Sequence, residues 1–242
     1  MEVLKKHTKI QTILLHLIPG LFNLLAIILL MQFTTRLGNT DSSRLLAGEL
    51  MILISIVPIQ IGILLRVTKK TTKTYNILKL IPFQEKAKLL FVVIMIVWVL
   101  GVSTILTTIE HGFRDSLFSF VPDSFSMRTV NYIATPKDLL IFTASLAIFT
   151  NGIVAPVTEE LYFRGYLLPR INLSPFKSVI ISAVLFSIYH FFSPWYFFSR
   201  VLMMIPLYYW VMRRKNIIFS IIAHTIANVF TSVSFLLEIL RL

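Results

Sequence analysis

Residues 89–109 read LLFVVIMIVWVLGVSTILTTI, twenty-one positions without a single charge. An α-helix needs about 20 apolar residues to cross the hydrocarbon core of a bilayer. Six further windows are of the same kind: 11–34, 45–67, 138–168, 177–194, 195–212 and 216–240. A soluble fold of 242 residues has no use for so much apolar surface, and mean hydropathy is +0.81. In lipid every backbone N–H and C=O must be satisfied within its own segment, which selects helices. The expected fold is therefore all-α, a polytopic transmembrane helical bundle of about seven spans. It divides into residues 1–137, N-terminal spans and interfacial loops, and residues 138–242, the catalytic core helices, within one integral-membrane domain.

Lys5, Lys6 and Lys9 precede the first run, as in a signal peptide. That run has some 24 residues, well beyond an h-region of about 7–15, and reads as a retained first span. The formal charge of +12 would suit nucleic acid if the charges lay on one surface. Placed on the connections, they set topology instead. With a cytoplasmic N-terminus the inner segments hold Lys5, Lys6, Lys9, Lys69, Lys70, Lys73, Lys79, Lys86, Lys88, Arg170, Lys177, Arg213, Arg214 and Lys215. The outer segments hold Arg36, Arg44, Arg114, Arg128, Lys137 and Arg241, with the acids Asp41, Glu110, Asp115, Asp123 and Asp138. Fourteen against six satisfies the positive-inside rule. The expected partner is the lipid bilayer rather than nucleic acid, with anionic lipid attracted around residues 69–88. The expected location is a bacterial plasma membrane, N-terminus inside.

There is no cysteine, so thiol nucleophiles, disulfides and cysteine metal sites are excluded. No internal repeat is visible. The stretch FRDSLFSFVPDSFS, within the 110–137 connection, reads as an interfacial lid.

Ionisable residues inside a span are costly and mark function or pairing. Glu159, Glu160 and Arg164 lie in the fourth window, His190 ends the fifth, and His224 with Asn228 sits in the seventh. At 1.5 Å per residue, Glu159 is about 17 Å above the inner end at Arg170, and His190 about 20 Å above Lys177. His224 is about 14 Å and Asn228 about 20 Å above Lys215. Separate helices thus bring a carboxylate, two imidazoles and an amide to one layer. Glu160 and Arg164 are four apart and can pair on one face, leaving Glu159 turned about 100° away. His224 and Asn228 are likewise four apart. Pro156 interrupts the backbone a turn before Glu159. Arg200 and Glu238, both near the outer rim, can pair with each other.

EELYFR (Glu159, Glu160, Arg164), FSIYH (Phe186, His190) and HTIAN (His224, Asn228), in this order, resemble the core motifs of the CPBP family of intramembrane endopeptidases. That family joins type II CaaX prenyl endopeptidases with bacteriocin-processing and self-immunity proteins. The resemblance covers about residues 138–230; residues 1–130 match only as generic spans. It implies an endopeptidase cutting a membrane-associated peptide or protein. Glu159 would activate water with help from His190, and His224 with Asn228 would bind the oxyanion. Glu160 and Arg164 would brace the helix, and Phe186 would shape the pocket. The resemblance also raises metal, since the family has been called metalloproteases; Glu159, His190 and His224 would then be the zinc set. Asn228 is a poor zinc ligand and no His-Glu-x-x-His helix is present, so the expectation is a metal-free site with no cofactor.

Blander readings stand beside this one. Glu160–Arg164 can be an ordinary buried ion pair, His224–Asn228 interhelical hydrogen bonding, and Phe186 core packing. A non-catalytic immunity or partner-binding protein would keep the same scaffold. A proton-coupled transporter would also place Glu and His at mid-membrane, though inverted repeats are absent and the polar groups cluster in the C-terminal half.

Overall fold

The computed structural model describes residues 5–35, 40–83, 86, 88–125, 131–133 and 135–242. Arg36, Arg128 and the last residue of the lid stretch, Ser126, lie outside them. Among the described residues the chain is helical and has no strand; one isolated parallel bridge joins His7 to Ile171. The order is α1 (Lys9–Thr35), α2 (Thr40–Met51), a π-helical turn (Ile52–Ile56), α3 (Val57–Thr72) and α4 (Leu89–Leu117). Then come α5 (Lys137–Phe149), a second π turn (Thr150–Val154), α6 (Ala155–Glu159) and a third π segment (Glu160–Leu167). The chain ends with α7 (Pro175–Tyr189), α8 (Phe197–Arg214) and α9 (Ile218–Arg241).

Among the described residues, five stretches are long and apolar enough to cross a membrane: Lys9–Thr34, Arg44–Thr72, Leu89–Leu106, Lys137–Arg170 and Ile218–Arg241. The windows expected as the fifth and sixth spans form α7 and α8, the packed arms of a helical hairpin. With 15 residues, α7 is about 22 Å long, short of the roughly 30 Å core. Pro194 sets the hairpin tip, because a proline forces the residue before it out of helical geometry. Ser193 is accordingly non-helical, with φ −148° and ψ 61°. Five full-length spans and this hairpin are what the described residues show.

Two prolines explain the π turns. A helical proline has no N–H, and its ring collides with the carbonyl four residues back. Widening the turn before it relieves the collision. Pro58 and Pro156 each sit at the start of the α-segment that follows a π turn. At the junctions Val57 N donates to Ile52 O and Ala155 N to Thr150 O, five residues back in both cases.

Helix α1 packs along α2 and α7, while α9 lies against both α4 and α5. Gly20 lets α1 close on the end of α7: a Cβ there would stand 2.2 Å from the Tyr189 carbonyl oxygen. The main core joins both halves of the chain. It includes Leu64, Leu80, Ile81 and Phe83 together with Tyr162, Phe163, Leu167, Leu168, Tyr208 and Phe219.

Contacts at the ends sort the connections onto two faces. On one, His7 N donates to Arg170 O and Lys6 Nζ to Pro169 O, both at 2.8 Å. On that face too, Arg170 donates to Leu80 O at 2.9 Å and Ile217 N to Phe83 O at 3.2 Å. On the other, Asn131 N donates to Asp41 at 2.8 Å, and Arg114 pairs with Asp123. The lid reading needs correcting at its start. Helix α4 continues to Leu117, so Glu110, expected in an outer connection, is buried and accepts from Ser199 N at 2.6 Å, capping α8. Phe125 and Tyr132, further along, do border the cavity described next.

Candidate active site

Every residue expected at the site faces or borders one region. Glu159 ends α6, and Glu160 begins the π segment that carries Arg164. Glu159 Oε1 lies 3.8 Å from His190 Nε2, too far for a direct hydrogen bond. His190 Nδ1 is 2.9 Å from the Phe186 carbonyl, which only accepts, so Nδ1 carries the hydrogen and Nε2 faces Glu159 with its lone pair. The Phe186 ring stands edge-on to His190, centroids 4.8 Å apart.

Glu160 is fully buried between Arg164 and His224. Its Oε2 is 3.2 Å from Arg164 Nε, the pairing expected from the spacing. Its Oε1 accepts from His224 Nδ1 at 2.9 Å, a contact the sequence did not suggest. Glu160 therefore orients a site histidine as well as bracing a helix. Arg164, fully buried, lies between the faces of Phe186 and Tyr208, 4.0 Å from each centroid, and donates to Met204 Sδ at 2.9 Å. Such sandwiching helps offset the desolvation of the guanidinium. Asn228 Nδ2 bonds not to His224's partner but to the Asn151 carbonyl at 3.0 Å, leaving its second amide hydrogen toward the cavity.

Ionisable groups alone did not reveal what holds Glu159. The hydroxyl oxygen of Tyr189 accepts from Asn23 Nδ2 at 2.7 Å and from Gln60 Nε2 at 2.8 Å. Ser55 in turn fixes Asn23 at 2.7 Å. With both lone pairs used, the Tyr189 hydrogen is directed at the Glu159 carboxylate. The signal was available as uncharged polar residues, Asn23 and Gln60, within apolar runs. Arg200 does not pair with Glu238 as expected; it donates to Ser193 through the carbonyl, at 2.9 Å, and through the hydroxyl.

These groups form the floor of a cavity of about 710 Å³. Glu159, Phe186, His190, His224 and Asn228 line it, as do Glu49, which accepts from Thr150, and Arg200. Among the described residues, no group of three or more His, Asp or Glu side chains stands close enough together to hold a metal ion.

Residues 141–230, which contain all three motifs, match the family model described as Type II CAAX prenyl endopeptidase Rce1-like. The resemblance is to the Rce1-like family. A curated relative, UPF0177 protein YxdF of Lactococcus lactis subsp. lactis (strain IL1403), is 33% identical over 79 residues, covering 33% of this chain and 44% of that protein. The chain thus spans less than half the length of the curated relative it matches. No solved structure matches significantly. The Rce1-like region and the apolar spans together make this an integral membrane protein.

Proposed function

We propose that this chain is an intramembrane endopeptidase that hydrolyses a peptide bond of a membrane-associated substrate with a glutamate-activated water. The observation that carries the reading is the pair Glu159 Oε1 and His190 Nε2, 3.8 Å apart on one cavity floor. That gap accommodates a water bonded to both. Glu159 accepts the proton as the water oxygen attacks the substrate carbonyl carbon, and His190 Nε2 takes the second water hydrogen as a hydrogen bond. The proton on Glu159 passes to the departing amine as the C–N bond breaks. Tyr189 holds Glu159 in position.

The oxyanion falls to His224 and Asn228. His224 donates Nδ1–H to Glu160 and turns Nε2 toward the cavity, where in its protonated form Nε2–H faces the oxyanion. Asn228 adds its free amide hydrogen. Each oxyanion donor of this type is worth about 3–4 kcal/mol in other hydrolases. Bacteriocin processing, or self-protection against such a peptide, is the role we propose for it.

The test is purified protein in detergent incubated with a library of membrane-anchored peptides, beside Glu159→Gln. Cleavage by the unaltered protein and none by a folded Glu159→Gln variant is expected. Equal cleavage by both would remove Glu159 from the chemistry, and no cleavage by either would favour a binding-only scaffold.

A further inference from the structure

The cavity has a closed end and an open end. Its floor is Glu159, Phe186, Met204 and His224, all buried. Beneath the floor, toward the face that carries the N-terminus and Arg170, come Tyr162, Phe163, Leu167, Leu168, Leu207 and Tyr208, each fully buried in the main core. Protein interiors packed in this way hold few voids larger than a water. In the opposite direction the lining climbs from Glu159 to Thr143 on one wall, from Ile56 to Leu45 on a second, and from His224 to Phe235 on a third. At that end part-exposed Gly48, Glu49, Phe125, Tyr132 and Phe235 stand beside buried Leu45 and Thr143. Phe125 and Tyr132 belong to the connection between α4 and α5, on the face away from Arg170.

The floor nevertheless lies nearer the inner ends of its helices. Glu159 is 11 residues from Arg170 and 22 from Lys137. The longer path is the hollow one. We infer that the site is loaded from the face opposite the basic connections, the exterior by charge asymmetry, so that its substrate is a peptide presented at the outer leaflet and not a cytoplasmic tail. From Thr143 to Glu159 the wall is 16 residues, about 24 Å of helix. An extended chain covers that depth with about seven residues at 3.3 Å each. The substrate is thus an unfolded segment of at least that length. Its apolar side chains meet Ile27, Met51, Ile52 and Phe192, and any cationic group it carries meets Glu49.

The inference rests on the catalytic reading of this cavity, and its test does not need catalysis. The chain has no cysteine, so a single introduced thiol is the only one present. Gly48→Cys places it near the mouth, where an added Cβ meets nothing within 4 Å, and Ala155→Cys places it one turn before Glu159. Ile133→Cys and Lys73→Cys report the two faces. In intact cells a membrane-impermeant maleimide should label Ile133→Cys, Gly48→Cys and Ala155→Cys, and leave Lys73→Cys until the membrane is permeabilised. Labelling of Ala155→Cys only alongside Lys73→Cys, or only after denaturation, would overturn the inference. In proteoliposomes of oriented protein, peptides added on the Ile133 side should be cleaved and those on the Lys73 side not. Absence of cleavage from both sides would defeat the catalytic reading, with the labelling still deciding the route.

Discussion

Consider the substitution Glu160→Gln, which keeps shape and removes one charge from a fully buried pair. At 3.2 Å, two unit charges attract by about 5 kcal/mol if the effective dielectric is about 20. Removing one partner of a buried pair usually costs about 3–5 kcal/mol, because the other charge stays desolvated. Here Arg164 keeps two aromatic faces at 4.0 Å and the Met204 sulfur, so the expected loss is the lower figure, about 3 kcal/mol. Arg164→Met should cost a similar amount, since Glu160 then stays buried without its cation at 3.2 Å. The double variant leaves neither charge stranded and should recover about 2 kcal/mol of the summed loss. Reversible unfolding in mixed detergent micelles, run as a double-mutant cycle, measures this directly. Additivity within about 0.5 kcal/mol would refute the claim that the pair is a coupled buried unit. Glu160→Gln should also lower cleavage beyond its stability cost, because it weakens the orientation of His224.

Three further outcomes follow from the same geometry. Tyr189→Phe removes the hydrogen aimed at Glu159 and should lower kcat about tenfold with KM unchanged, the loss of about 1.4 kcal/mol of positioning. A loss of stability with kcat unchanged would make Tyr189 merely structural. Gly20→Ala puts a methyl 2.2 Å from the Tyr189 carbonyl oxygen and should cost about 1–3 kcal/mol by overpacking, measured by the same unfolding assay. Exhaustive chelation should leave cleavage intact; loss restored by zinc and not by magnesium would replace the glutamate-only reading.

What could be read from the chain was governed by what hydrocarbon forbids. Charges in apolar runs stand out because each is expensive there, and Glu159, Arg164, His190 and His224 were visible for that reason. Depth counted along each helix placed them together, and the distances between them agree. Rotation about the helix axes was less visible, because π turns break the 100° step from which faces are counted. Spacing therefore found Glu160–Arg164 and missed Glu160–His224. The uncharged network of Ser55, Asn23, Gln60 and Tyr189 escaped because neutral amides are common enough in spans to draw no notice. The windows expected as the fifth and sixth spans fold as the α7–α8 hairpin, and Pro194 is the residue that marks where the chain turns back.

The widened turn at Thr150–Val154 makes the chain's length there part of its chemistry. A π turn holds one residue more than the regular helix would, so everything after it is rotated by about 100° relative to an unbroken α-helix. Glu159 faces His190 in that shifted phase. Forcing the same residues into a regular α-helix would turn Glu159 about 100° away from its partner, with every catalytic side chain still present, whereas deleting one residue together with the bulge would restore its phase. The extra residue and the widened turn that absorbs it belong together: losing either alone mistimes this wall of the cavity, and losing both leaves it aligned.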